Sequence, residues 1–232
     1  MSAAPSFGPD PELARGVNDH GTAQLVAAAA RAGVRRIVYI STSGVYGAAP
    51  RFAADEHTPL APSSATSRTR LVAEQHVLEA GGVVVRPHLV IGQGDRKVLP
   101  VLARAIEMLG GRPHPSPRTS VIRVDSLAEQ VWWLVQHAEV REAVHPDHGA
   151  PVELAELLGT IRDSIGMASP ASTVPVTRAR ELLAHAGLRP HQVEMLTAES
   201  TFASSLTGRV PPPAAALSDA DVRWYRGLFG AR

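Results

Sequence analysis

The chain has 232 residues, of which 44% are hydrophobic, and its 23 basic residues nearly balance its 22 acidic ones. The even charge disfavours a nucleic-acid partner, and the absence of cysteine excludes disulfides, zinc–thiolate sites and cysteine nucleophiles. No apolar run reaches the roughly 18 residues of a membrane-spanning helix, so the sequence predicts a cytoplasmic protein without a membrane partner.

The first third of the sequence predicts helices alternating with strands. Residues 11–32 indicate a helix that opens with a proline and stops before a glycine. Residues 35–43 form a short β-branched run that ends in small polar residues, which is typical of a buried strand opening into a loop. A loop rich in proline and alanine covers 44–64, and a second helix is expected over about 67–80.

The same alternation continues to about residue 145 and then changes character. The apolar run 83–92, bounded by glycines, predicts a second buried strand. A helix, a short strand and a helix follow, at 98–109, 119–125 and 126–138. Beyond them, the sequence predicts an amphipathic helix at 151–166 and an extended segment that turns helical within 172–188. The alternation favours an α/β fold with a mostly parallel sheet.

Four stretches of sequence carry a resemblance to a known family. They are VNDHGTAQLVAAAARAGVRRIVYISTSGVYG (17–47), DEHTPLAPSSATSRTRLVAEQHV (55–77), VVVRPHLVIGQGD (83–95) and SVIRVDSLAEQV (120–131). In this order they resemble the extended short-chain dehydrogenase/reductases, the NAD-dependent epimerase/dehydratase family. The resemblance implies a reduced Rossmann-like sheet with flanking helices over 1–145. A small, substrate-binding type of C-terminal helical subdomain with a tail would cover 146–232.

The sequence departs from the family where the family binds its dinucleotide. Family members open with a Gly-x-x-Gly-x-x-Gly turn, whose glycines let the backbone approach the pyrophosphate. No such spacing occurs in this chain, and its first residues align with the end of the family's fourth strand. We interpret the chain as truncated relative to the family. It is either a naturally shortened protein, a fragment of a longer one, or a sequence whose start was wrongly assigned. It is therefore expected to have no cofactor, with residual NAD(P) binding left open.

A second departure concerns the family's Tyr-x-x-x-Lys pair, in which the lysine lowers the pKa of the tyrosine. Thr66 stands at the tyrosine position and Arg70 at the lysine position. A threonine hydroxyl cannot exchange a proton as a phenol does near neutral pH, and arginine differs from lysine in geometry. The family's Ser/Thr position corresponds to Thr42, and its structural asparagine to Asn18.

The predicted catalytic residues are His88, Thr42 and Ser43. Thr42 and Ser43 end a buried strand, where α/β sheets place ligands, and Thr42 either binds a substrate oxygen or caps the loop. His88 follows an Arg-Pro pair at the second strand. It is either a general acid/base with an ordinary pKa near 6.5 or a packed histidine bonded to a carbonyl.

The predicted substrate-binding residues are Arg70, Thr66, Arg123 and Tyr46. Arg70 either binds an anionic group or pairs with Glu74 one helical turn away. Tyr46 belongs to the Val-Tyr-Gly loop and also suits a structural role. No metal site is expected, since two histidines around a proline turn lack further ligands.

These residues favour a repurposed enzyme that performs cofactor-independent isomerase, cyclase or lyase chemistry on a small molecule. One alternative is an NAD(P)-dependent epimerase, dehydratase or reductase whose N-terminal half is missing from this chain. Another is a non-catalytic binding or scaffold partner. Without the strands that normally precede it, the strand at 35–43 would leave an open sheet edge, which predicts a homodimer or a local cover by the N-terminal segment.

Overall fold

The computed structural model describes residues 10–48, 50–167, 170–214 and 216–230; residues 1–9, which bear on the predicted N-terminal cover, lie outside it. No helix in these ranges is long and apolar enough to cross a membrane. The α-helices are α1 Pro11–Arg15, α2 Thr22–Arg31, α3 Ala65–Glu79, α4 Leu99–Leu109, α5 Val124–Gln136, α6 Leu154–Ser164, α7 Val176–His185, α8 Pro190–Thr197 and α9 Asp219–Gly230. The strands are β1 Val38–Ile40, β2 Arg51–Ala54, β3 Val83–Val85, β4 Leu89–Ile91, β5 Arg112–His114, β6 Arg118–Thr119, β7 Val121–Arg123, β8 Ala143–Val144, β9 Val152–Glu153, β10 Thr173–Pro175 and β11 Ser200–Phe202.

The predicted N-terminal helix is present, but its middle is π-helical whereas its two ends are α-helical. α1 is capped by Asp10, whose carboxylate accepts the backbone N–H groups of Glu12 and Leu13. A π-helical segment, Gly16–Gly21, then joins α1 to α2. Asn18 in this segment is buried and donates a hydrogen bond of 3.0 Å to Thr69 on α3. The π-helical turn therefore aims an amide side chain at the neighbouring helix.

The central sheet is parallel and confirms the predicted α/β class. β3 is fully buried between β1 and β8, with Val38 opposite Val83 and Val85 opposite Val144. Among the described residues β1 has no second neighbouring strand, and α2 buries none of its residues. This edge of the sheet is the open edge, defined here as β1 together with α2.

The single strand predicted over 83–92 is wrong, because the chain leaves one sheet and joins another at its centre. β3 ends at Val85, and β4 begins at Leu89 and pairs with β7 in a separate sheet. Pro87 lies in the gap, where it cannot donate a backbone hydrogen bond to a strand. The break leaves Arg86 and His88 free to make side-chain contacts at the carboxyl end of β3.

Segments beyond residue 145 pair closely with segments before it. β11 lies between β2 and β6 in a mixed four-stranded sheet, and β10 pairs with β5. Helices α6 to α9 pack against α4 in an apolar cluster that includes Leu102, Leu158 and Tyr225. The helical C-terminal region is thus present among the described residues, and the division at residue 145 stays a prediction.

We expect Gly82→Ala to lower the free energy of unfolding by about 1 to 3 kcal/mol. A Cβ there would lie 2.7 Å from Val77 Cγ1 and 3.0 Å from the Ile37 carbonyl, in the turn between α3 and β3. Gly16→Ala is the matched control, because it has helical backbone angles and open space around the new methyl group. It should raise stability by about 0.5 to 1 kcal/mol. Urea denaturation of both variants would refute this account if Gly82→Ala matched the wild type.

Candidate active site

The loop after β1 presents two hydroxyl groups at the carboxyl end of the parallel sheet. Thr42 caps a 3₁₀ turn, Ser43–Tyr46, because its Oγ1 accepts the Gly44 N–H at 3.1 Å. A Cβ on Gly44 would lie 3.0 Å from Ser67 Oγ and 3.3 Å from Thr42 Oγ1. A glycine at this position therefore lets the start of α3 approach the loop closely.

Ser43 and His88 meet in this structure. Ser43 Oγ lies 2.7 Å from His88 Nδ1, and the Ser43 N–H donates to the Pro87 carbonyl at 2.9 Å. Burial, with a smaller contribution from nearby His145, lowers the pKa of His88 to about 4. The imidazole is thus neutral at pH 7, with one nitrogen able to accept a proton.

Thr66 and Arg70 both lie on α3, and Arg70 contacts the end of β1. One guanidinium nitrogen of Arg70 donates to the carbonyls of Ile40 and Ser41, at 3.3 and 3.2 Å. The Thr66 carbonyl accepts from Thr69 Oγ1 at 3.1 Å, and its hydroxyl makes no hydrogen bond to a described residue. Arg70 is thus held at the end of β1, and the structure gives no contact of either residue with His88.

Glu74, one turn beyond Arg70, pairs with Arg86 inside the protein. Both side chains are buried. Arg86 Nη2 donates to Glu74 Oε2 at 2.6 Å, and Arg86 Nε lies 3.2 Å from Oε1 and 3.1 Å from Oε2. Ser41 donates a short hydrogen bond to the same carboxylate. Arg86 also donates to the Tyr46 hydroxyl at 2.9 Å. A charged pair in the interior is thus almost completely hydrogen-bonded, which is the condition for its stability.

Tyr46 connects this buried hydrogen-bond network to His145. The Tyr46 hydroxyl lies 2.8 Å from His145 Nε2, and His145 Nδ1 lies 2.6 Å from the Ala203 carbonyl. A carbonyl accepts only, so Nδ1 carries the proton and Nε2 accepts from Tyr46. Burial lowers the pKa of His145 and keeps it in this neutral form. Tyr46, predicted to bind substrate, is 0% exposed, and that role stays a prediction.

A pocket of about 690 Å³ lies beside His88, and its wall includes His148 and Phe202. The His88 and Phe202 rings are 4.9 Å apart between centroids. The backbone N–H of His88 donates to His148 Nε2 at 3.1 Å. Burial lowers the pKa of His148 to about 3, so this ring is neutral as well. The pocket therefore lies next to the Ser43–His88 pair, because His88 contacts two residues of the pocket wall, Phe202 and His148.

Arg123 is placed apart from the other predicted site residues. Its guanidinium lies 3.1 Å from the Asp221 carboxylate, donates to the Ala216 carbonyl at 2.5 Å and contacts Asp125. These partners tie β7 to the C-terminal segment. Its predicted contact with substrate stays a prediction.

Glu56 is a structural residue that the sequence pattern does not reveal. Its carboxylate accepts the backbone N–H groups of His145 and Ser205, at 3.0 and 2.9 Å, and the Ser205 hydroxyl. Burial alone would raise the pKa of Glu56, but these donors outweigh it and hold the pKa below its usual range. Only the family's loop pattern around 55–57 could have marked this residue, since its partners are distant in sequence.

A parallel sheet with flanking helices, and with hydroxyl and imidazole groups at the carboxyl ends of its strands, defines a Rossmann-like α/β protein. A model of the NAD dependent epimerase/dehydratase family matches residues 8–145, more than half of the chain. The protein therefore belongs to this family, as the sequence resemblance predicts.

Named relatives agree with this family. A 4-hydroxy-2-methyl-3-oxo-4-farnesyl-3,4-dihydroquinoline-1-oxide ketoreductase of Stigmatella aurantiaca is 33% identical over 177 residues, which cover 72% of this chain and 53% of the relative. A decarboxylating sterol-4-alpha-carboxylate 3-dehydrogenase of Saccharomyces cerevisiae is 33% identical over 118 residues, covering 47% and 34%. This chain thus spans about half, or less, of the length of these relatives.

Solved structures that superimpose on this protein have the same Rossmann-like α/β fold. The Bordetella bronchiseptica enzyme WbmH, solved in complex with NAD⁺, superimposes with a TM-score of 0.73 at 19% identity, covering 97% of this chain and 74% of WbmH. The expectation that this chain has no cofactor is wrong for its family, which is defined by NAD dependence. That expectation rested on one missing glycine turn, and the family match covers strands and helices that do not include it.

Glu56→Gln should lower the free energy of unfolding at pH 7 by about 1 kcal/mol or more, because a neutral amide accepts the three hydrogen bonds less strongly. The folded pKa of Glu56 is depressed, so its contribution is complete above the unfolded pKa and is lost as pH falls through the folded one. Wild type and variant should therefore converge in acid, as thermal melts at several pH values would measure. Glu79→Gln, at an exposed carboxylate on α3, is the control. Equal melts for wild type and Glu56→Gln at neutral pH would contradict the assignment.

Proposed function

We propose that this chain belongs to an NAD(P)-dependent oxidoreductase or epimerase that acts on a small molecule. The observation that carries the proposal is the Ser43–His88 hydrogen bond at the carboxyl ends of adjacent parallel strands. The two residues form a pair that is able to move a proton, in a chain that has Thr66 at the position of the family's tyrosine. The curated relatives named above are a ketoreductase and a dehydrogenase, which supports redox chemistry.

Residues at the end of β1 fit the nicotinamide riboside end of such a cofactor. Thr42 follows this point in the chain and Arg70 is bonded to it, while the Thr66 hydroxyl on α3 makes no hydrogen bond to a described residue. Hydroxyl and guanidinium groups are suitable partners for an amide and a ribose. No glycine turn for the pyrophosphate occurs in the sequence, so that part of the cofactor is assigned to no residue of this chain.

When bound, the cofactor takes up or supplies a hydride at the substrate carbon. In the oxidation of an alcohol, the substrate hydroxyl proton passes to Ser43 Oγ as Ser43 passes its own proton to His88 Nδ1, and the substrate becomes a carbonyl compound. His88 can accept only while neutral, which its lowered pKa secures at pH 7. In this proposal Thr42 holds the substrate oxygen during the transfer.

The proposal includes a homodimer and a cytoplasmic location, both of which the sequence predicts. The open edge leaves the backbone groups of one side of β1 without a strand among the described residues, which supports pairing of two copies. A cytoplasmic location stays part of the proposal as a prediction from the sequence.

Calorimetric titration with NAD⁺, NADH, NADP⁺, NADPH and nicotinamide mononucleotide tests the cofactor assignment. The mononucleotide and NAD⁺ should bind within about threefold of each other, because only the nicotinamide end is assigned contacts. Arg70→Ala should weaken both by about tenfold, the value of a hydrogen bond from a charged group. Arg68→Ala is the control, since this exposed neighbour bonds only the Ser63 carbonyl. Absence of heat with all five compounds would overturn the proposal.

Ser43→Ala and His88→Leu should each lower the turnover of small secondary alcohols by about 100-fold or more, since both remove the proton path. Turnover is followed by the absorbance of the reduced nicotinamide. For the wild type, kcat/KM for oxidation should rise up to about pH 4 and stay level above it, as His88 becomes neutral. His185→Gln, on the exposed face of α7, is the control. Normal turnover by either site variant would refute the assigned pair.

A further inference from the structure

One acidic residue, Asp147, lies in the wall of the pocket beside His88. It is only 8% exposed, and its Oδ1 accepts the Gly149 N–H at 2.9 Å. The second oxygen, Oδ2, makes no hydrogen bond or ion pair with a described residue, and it is not one of the unpartnered side-chain atoms that are sealed from solvent. Because Asp147 lines the pocket and is otherwise buried, this free oxygen opens into the pocket.

The wall brings no cation to this carboxylate. No described residue of the lining is Arg or Lys. The neighbouring ring of His148 is neutral at pH 7, because burial lowers its pKa to about 3. Among the described residues, the Gly149 N–H is thus the one hydrogen-bond donor to the carboxylate of Asp147. A carboxylate withdrawn from water is costly without an opposite charge, so a ligand that carries a cation would gain a partner here.

The rest of the lining supplies carbon surface and a second free polar group. The volume of about 690 Å³ is that of a small-molecule site. Aliphatic, aromatic and proline side chains contribute the carbon surface: Val121, Val152, Phe202, Pro212 and Pro213. The Thr207 hydroxyl also belongs to the lining and makes no hydrogen bond to a described residue. The Ser204 hydroxyl, in contrast, donates to the His145 carbonyl at 2.7 Å and accepts the Leu206 N–H at 3.0 Å.

We propose that this pocket binds a small, largely apolar molecule that carries one ammonium group, and that this group pairs with the free carboxylate oxygen of Asp147. An ammonium has three donors and no acceptor, and the Thr207 hydroxyl offers it a second acceptor in the same lining. As the site of the substrate, the pocket rests on the proposed function and selects an amino alcohol, whose hydroxyl group passes its proton to Ser43. As a binding site it stands without that function, and it is tested in the absence of any nicotinamide compound.

The test is calorimetry of the full chain at pH 7 with three probes that share one carbon skeleton: 2-aminotetralin, 2-tetralol and 1,2,3,4-tetrahydro-2-naphthoate. At this pH the amine is an ammonium and the acid is a carboxylate. 2-Aminotetralin should bind about tenfold more tightly than 2-tetralol, because a hydrogen bond between two charged groups is stronger than one from a neutral hydroxyl. The carboxylate probe should bind most weakly, because it meets the like charge of Asp147 and no cation.

Asp147→Asn removes the charge and keeps an oxygen that can accept the Gly149 N–H. It should weaken the binding of 2-aminotetralin by about tenfold and leave that of 2-tetralol within about twofold, so that the preference for the amine is lost. Asp163→Asn, at an exposed carboxylate on α6, is the matched control and should bind all three probes as the wild type does.

A second variant keeps the test decisive if Asp147→Asn does not fold. Ala150 lies exposed on the pocket wall, and Ala150→Trp should abolish binding of 2-aminotetralin without a change in Tm. Ala138→Trp, at an exposed alanine outside the pocket, should bind as the wild type does. The proposal is overturned if no probe binds, if 2-tetralol or the carboxylate binds as tightly as 2-aminotetralin, or if Asp147→Asn or Ala150→Trp binds the amine normally. Failure of the nicotinamide titration would leave this result unaffected.

Discussion

The buried ion pair of Glu74 and Arg86 fixes the positions of the groups around the site. Moving two charges out of water costs several kcal/mol per ion, and the pair is stable only while its remaining hydrogen bonds are made. Ser41 and Tyr46 make them, and Tyr46 passes the constraint to His145. The pair thus connects the end of β1, helix α3, the break after β3 and the segment after β8. Loss of one partner would leave a charge without compensation and loosen all four.

The same pair explains why the chain breaks between β3 and β4. Arg86 can reach Glu74 and Tyr46 because the strand ends just before it, and Pro87 prevents the strand from continuing. His88 then turns toward Ser43. Arg70, one nitrogen of which donates to two carbonyls, brings a guanidinium to the position where the family has a lysine. In the proposed function, Arg70 therefore supplies the positive charge, whereas Ser43 and His88 transfer the proton.

Long periodic segments could be predicted from the sequence, whereas short strands and distant partners could not. Helices α4 to α6 show the periodic hydrophobic spacing that predicts a helix, and the alternation of helices and strands predicts the parallel class. β2, β8, β9 and β11 are two to four residues long, and their partners lie far away in the chain. Thr42, Ser43 and His88 can be picked out as candidates because each follows a strand, and their catalytic roles stay a prediction. Glu56 could not be predicted, because its partners His145 and Ser205 are distant in the sequence. The absent glycine turn predicted no cofactor, and the family match contradicts that prediction.

The place of β11 between β2 and β6 has a consequence for how the chain folds. Ala53 on β2 donates to Thr201 on β11, 148 residues later in the sequence. Contacts of such separation carry a large loop-closure entropy and form late. During synthesis, Phe202 must leave the ribosome before this sheet can close and pack against His88. The wall of the pocket is therefore completed only after β11 has been made, long after β1 and Ser43 have left the ribosome.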